Sequence, residues 1–282
     1  MNIFEWLIPW EPSPTVVVCV LVAAVLYWRG ARRSPVCAPW PRQLAWWLGL
    51  GIVYFGLHTH LDYYAEHQFF IHRLQHLGLH HLGPFLMVLA YPGVTLRRGL
   101  PASWRRRWLR PTLKFPPIRI LLDFLLHPLV ASILFVGLIY LWLYDPIHYI
   151  AMLDVRLYKL MNWSMVVDGF LFWWLVLDTR PKPPARLSPG MRILVALAVI
   201  PPQILIGAYL TFVGRDLYPI YAICGRVFLG ISPLTDQYLG GLILWIPSSM
   251  MSVIAALIAF RAWVQLDARG RIQRGPARRQ RL

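Results

Sequence analysis

Seven apolar stretches separated by short charged segments constrain this chain more than any other feature of it. They run over 14–28, 43–61, 69–91, 119–143, 157–178, 191–213 and 239–263. At about 1.5 Å of rise per residue, each approaches the length needed to cross a hydrocarbon core about 30 Å thick, the first being the shortest. Composition points the same way: 58% of residues are hydrophobic and 14% charged, where soluble domains carry about 25% charged residues. The expected fold class is an all-α integral membrane protein with seven transmembrane helices. A water-soluble enzyme, a secreted disulfide scaffold and a disordered regulator are excluded. Pro84, Pro128, Pro201-Pro202 and Pro247 fall inside these stretches, so several helices should be kinked around a shared interior, where neighbours can satisfy the freed backbone groups.

The charges set an orientation. Segments 29–42, 92–119, 178–192 and 261–282 hold 23 of the 28 Lys and Arg, and the alternate segments hold eight of the 12 acids. The positive-inside tendency then places the N-terminus outside and the C-terminus in the cytoplasm. The same placement explains the net charge of +16: runs such as Arg105-Arg106-Arg107 read as headgroup and topology anchors at a lipid membrane, with no nucleic acid as partner. Residues 1–268 are expected to form one membrane domain and 269–282 a basic cytoplasmic tail. No cleaved signal peptide is expected, because Glu5 and Glu11 stand where a basic leader would be. Cys19, Cys37 and Cys224 have no CxxC spacing and read as packing residues.

Seven of the nine histidines lie between 58 and 81. On a helix His72, His76 and His80 share a face at i, i+4 and i+8, each step rising about 6 Å. One metal ion could take two neighbours of this series but hardly all three. His58 and His60 lie about 200° apart around a helix, so at most one of them joins that face. Polar groups inside a bilayer are costly and face the bundle interior, and such a cluster points to metal ligands or proton carriers. Imidazole suits copper, zinc and iron, and thioethers favour Cu(I); Met152, Met161, Met165 and Met250-Met251 offer thioethers. Asp123 with His127, and Asp168 alone, are candidates for proton-linked or imidazole-orienting groups. HExxH, GxSxG, P-loop and GxGxxG motifs are absent, so no enzyme activity is expected. The histidine spacing resembles desaturase boxes only faintly, since further boxes downstream are missing.

Larger motifs resemble the CtaG-type family of cytochrome c oxidase assembly factors. They are HRLQHLGLHHLGPFL at 72–86, His127-Pro128, GFLFWW at 169–174, ILIGAYLTF at 204–212, LYPIY at 217–221 and SPLTDQYLGGLILWIP at 232–247. The resemblance covers about 58–255. It implies seven helices, residence in a bacterial inner (plasma) membrane, and service to a haem–copper oxidase. It carries the family's helix-3 histidine pair to His72 and His76, its helix-4 histidine to His127, and its loop Asp-Gln to Asp236 and Gln237. The chain departs from the family at a second i, i+4 histidine pair, where Tyr158 and Asn162 stand instead.

The expectation is therefore an assembly factor that binds or delivers copper, as Cu(I), at the outer side of the membrane. His72 and His76 would be primary ligands, with His60, His80 and Met165 as partners. Haem–copper oxidase subunits would receive the metal and a periplasmic copper chaperone could bring it. Three rivals remain: a bis-histidine haem b cytochrome, a metal-free scaffold, and a copper transporter supported only by the broken sixth and seventh helices.

Overall fold

A computed structural model describes residues 8–34 and 38–270. Glu5, Cys37 and all of the expected 269–282 tail except Arg269 and Gly270 lie outside the described residues. Among these residues the chain is helical, with no strand beyond an isolated antiparallel bridge between Pro9 and Thr59.

All seven apolar stretches lie on helices. We number α1 Pro14–Arg32, α2 Trp40–His58, α3 His60–His67, α4 Phe69–Leu89 and α5 Gly93–Gly99. After short helical turns over 102–114 come α6 Pro116–Leu125, α7 Pro128–Leu143, α8 Asp145–Leu153, α9 Val155–Val176, α10 Pro189–Phe212, α11 Ile220–Cys224 and α12 Pro233–Ala268. By length and apolarity three of them, α1, α10 and α12, can cross a membrane unaided. The number rises to five if the bent pairs α4–α5, at 78°, and α6–α7, at 68°, each count as one span. This is fewer than the seven expected from the stretches. The helices left out, α2 and α9, are 19 and 22 residues long. They are long enough, but α2 carries Arg42 and Gln43, and α9 carries Arg156, Lys159, Asn162 and Asp168.

Proline sets most helix starts. It occupies the first turn of α1, α2, α6, α7, α8, α10 and α12, where its missing N–H removes no helix bond and its fixed φ fits. The bend between α6 and α7 falls at His127-Pro128, because the residue before proline is driven out of the helical region; His127 is extended, with ψ 134°. Helix α12 has 36 residues with Pro247 inside it. At about 54 Å it exceeds the thickness of a hydrocarbon core.

The helices pack with their loops gathered at two ends. One end, acidic, carries α3, α8 and α11; the other, basic, carries α5, residues 102–115 and 177–188. Toward the basic end Phe85, Phe135, Phe172, Trp173 and Ala255 form one core. Toward the acidic end Phe69, Trp142, Met161, Met165, Tyr218, Tyr221 and Leu244 form another. The outer flank is apolar: α1 buries only Val16, Tyr27 and Gly30 and exposes Val18, Leu21, Val22 and Val25, the pattern of a helix whose outward face meets lipid tails.

Candidate functional site

The site begins with how α4 is anchored. The Asp236 carboxylate, at the start of α12, accepts hydrogen bonds from the backbone N–H groups of Phe69, at 3.1 Å, and Phe70, at 2.7 Å. These are orphan donors of the first turn of α4, and a carboxylate there also suits the helix dipole. Arg226 closes the arrangement through an ion pair with Asp236. Gln237 holds the neighbouring loop, accepting from Leu217 N at 2.8 Å and donating to Leu210 O and Arg215 O. Asp236 and Gln237, expected in a loop, lie instead at the start of α12 and clamp α4, and Phe69 stacks on Tyr218 at 4.4 Å to complete the clamp.

One turn further along α4 come His72 and His76, both buried, with ring centroids 4.5 Å apart. His72 Nδ1 faces Ala65 O at 3.2 Å. A carbonyl only accepts, so Nδ1 carries the proton and Nε2 is left with its lone pair. Nε2 is buried and has no partner among the described residues. His76 Nε2 faces Asn162 Oδ1 at 3.1 Å, and its Nδ1 is likewise buried and unpartnered. A ring with one nitrogen pinned as a donor and the other free is what a metal-binding imidazole requires.

A third imidazole reaches the pair. His148, on α8, lies 5.3 Å from His72 between ring centroids. Its Nδ1 donates to Trp142 O at 2.9 Å, and its Nε2 accepts from the Tyr221 hydroxyl at 3.1 Å. Burial first, and then the Arg73 guanidinium, push His148 down to about 3, so the ring is neutral. Arg73 is itself buried, lies over the Phe69 ring at 5.2 Å, and leaves Nε and Nη2 without partners among the described residues.

Beyond His76 the helix changes. Residues Leu77–Leu82 form a π-helical turn, in which hydrogen bonds close from i to i+5. The extra residue rotates His80 off the line that a straight α-helix would give it. His80 Nε2 instead meets Asp168 Oδ2 on α9 at 3.1 Å, with Phe135 stacked at 4.2 Å. Gly169 permits this approach, since a Cβ there would collide with His80 O. That carbonyl also accepts from Trp173 Nε1 at 3.3 Å. His76, His80 and Met165 line a cavity of about 10 Å³ together with Arg73 and Ser248, room for about one water-sized sphere.

The structure thus joins His72 and His76, sets His80 and Met165 around an adjoining cavity, and places His60 with the N-terminal segment. His60 Nδ1 lies 2.9 Å from Ile8 O, and Trp10 meets its ring edge-on at 5.7 Å. Met250 is exposed and Met251 packs in the core beside Phe172 and Trp173, so neither joins the histidines. Asp123 is exposed and paired with Arg119 and Arg186, and His127 is exposed at the bend. Asn162, which the resemblance put at a histidine position, hydrogen-bonds His76 Nε2. Sequence reasoning missed His148 and Arg73. Among the described residues no group of three or more His, Cys, Asp or Glu is close enough to hold a metal ion. The haem b alternative meets a steric obstacle: cofactor sites occupy roughly 300–1,000 Å³, and the space beside His76 and His80 is far smaller.

Fold and site together define an all-helical membrane protein with a buried histidine pair near its acidic end. The chain belongs to the cytochrome c oxidase caa3 assembly factor family (Caa3_CtaG), whose model matches residues 22–266. Curated relatives include uncharacterised proteins of Mycobacterium bovis and Mycobacterium tuberculosis, each 26% identical over 276 residues, or 92% of this chain and 40% of theirs. Another, from Mycobacterium leprae, is 25% identical over 278 residues, 95% of this chain and 41% of its own. The chain therefore spans about 40% of the length of the curated relatives it matches. No solved structure matches it.

Proposed function

We propose that this chain serves assembly of a caa3-type cytochrome c oxidase by holding copper, as Cu(I), for transfer at the outer face of a bacterial inner membrane. In this reading the domain crosses seven times, α2 and α9 included, with the N-terminus outside, the acidic end facing out and the C-terminal tail in the cytoplasm. A periplasmic copper chaperone brings the metal, and haem–copper oxidase subunits receive it. The role is binding and handover, not catalysis.

One observation carries the reading: His72 and His76 lie side by side, each with one ring nitrogen pinned by a hydrogen-bond partner and the other free and buried. Arg73 sharpens the choice of metal. A buried guanidinium beside the rings repels a divalent ion more than a monovalent one, since the energy scales with the product of charges. Soft Met165 on the adjoining cavity favours Cu(I) as well.

The test is elemental analysis of detergent-purified protein loaded with copper under reducing conditions, beside a His72→Ala/His76→Ala variant that retains its thermal unfolding. The expected result is close to one copper per chain, lost in the variant. No copper in either protein would remove the ligand assignment and leave a metal-free scaffold.

A further inference from the structure

At the basic end, α5 and the helical turns over 102–114 enclose an open cavity of about 530 Å³. Five arginines line it, Arg97, Arg98, Arg105, Arg106 and Arg110, with no acid among the lining residues. Two are held in place: Arg97 Nε donates to Gly93 O at 3.2 Å and Arg98 Nη1 to Ser34 Oγ at 2.6 Å. None of the five is in an ion pair among the described residues. The neighbouring carboxylate, Asp123, is already taken by Arg119 and Arg186. Five like charges lining one cavity without a counter-ion repel one another, so an anionic ligand would stabilise the arrangement.

We propose that this cavity binds the headgroup of an anionic phospholipid that carries two phosphodiester groups. Guanidinium forks match phosphate oxygens in pairs. One phosphodiester would leave most of the five charges unmatched, and two bring the balance closer. The apolar surroundings fit a lipid rather than a soluble phosphate. Val94, Leu109 and Leu113 share the cavity wall, and Trp104 and Trp108 beside it are 60% and 63% exposed, as tryptophans at a membrane interface are. This site is separate from the histidines and does not depend on copper.

Native mass spectrometry of the full chain, released from detergent with defined lipids, tests it. The lipids are cardiolipin, phosphatidylglycerol and phosphatidylcholine. The variant is Arg97→Gln/Arg106→Gln/Arg110→Gln. The control, Arg107→Gln/Lys114→Gln/Arg269→Gln, loses the same charge outside the cavity. Cardiolipin should be retained above the other two lipids. Its affinity should fall by roughly a hundredfold in the cavity variant, about fivefold per cation removed, and hold within a few-fold in the control. Equal retention of the three lipids, or equal losses in variant and control, would overturn the proposal. So would displacement of cardiolipin by millimolar inorganic pyrophosphate, which would make the ligand a soluble phosphate. Circular dichroism establishes that both variants keep the wild-type helix content.

Discussion

Asp236 is the residue on which the placement of α4 depends, and its removal can be worked through in numbers. Its side chain is fully buried, it accepts from Phe69 N and Phe70 N, and it faces Arg226, whose side chain is 10% exposed. Breaking a buried ion pair by deleting one partner costs about 3–5 kcal/mol, and here Arg226 would keep only its longer contact with the part-exposed Asp216, at 3.8 Å. The two N–H groups lose their acceptor as well. Asp236→Ala should therefore destabilise the protein by about 3–5 kcal/mol. Asp236→Asn keeps the shape and one good acceptor, and should cost about 1.5–3 kcal/mol, the range for hydrogen bonds to charged groups. The assay is denaturant unfolding in detergent followed by tryptophan fluorescence, run as a double-mutant cycle with Arg226→Met. The double variant should be less damaged than the sum of the singles by about 0.5–3 kcal/mol. A cost below about 1 kcal/mol for Asp236→Ala, or additivity within about 0.5 kcal/mol, would refute the clamp.

Three further outcomes follow from the same geometry. Gly169→Ala should destabilise the fold by about 1–3 kcal/mol, the range for overpacking, because its Cβ meets the His80 carbonyl; a thermal midpoint equal to wild type would show that α9 does not approach α4 so closely. Asn162→Ala removes the partner of His76 Nε2, and Cu(I) affinity measured against a competing chelator should drop about 10–100-fold; an unchanged affinity would exclude Asn162 as the group that orients His76. Burial raises Asp62 to about 6 and Glu66 to about 7, above their ordinary values, so the folded state binds more protons than the unfolded one between about pH 4 and 7 and stability falls as pH rises through that window. Thermal midpoints across it should decline, and the decline should flatten in Asp62→Asn/Glu66→Gln; a midpoint that climbs with pH contradicts the burial of these two acids.

Helix positions were legible in the sequence because apolar runs of span length leave the backbone few alternatives, and every such run is helical here. Pro128 also announced its bend. The histidine face was legible only as far as His76. The spacing of His72, His76 and His80 is that of a straight α-helix, and no propensity rule signals that the next turn is π-helical. His80 consequently belongs with Asp168, a residue whose partner is 88 positions away and which sequence spacing leaves unassigned. His148 stands alone on a nine-residue helix, so no local pattern marks it; only the packing of α8 against α7 and α9 brings its ring to His72. Asp123 and His127 have the right spacing for a pair, yet the bend after Leu125 sends them to the surface, where arginines take the carboxylate.

The π-helical turn has a consequence for comparing this chain with its kin. A helix that contains one surplus residue between Leu77 and Leu82 shifts everything from Gly83 onward by about 100° relative to an uninterrupted helix. In a relative whose corresponding helix is plain α, the matching residues are one fewer. A gapless alignment across this stretch then pairs core-facing with lipid-facing positions downstream. A one-residue gap placed inside 77–82 restores the correspondence, and substitutions in the Phe85 half of the helix become interpretable only after it is introduced.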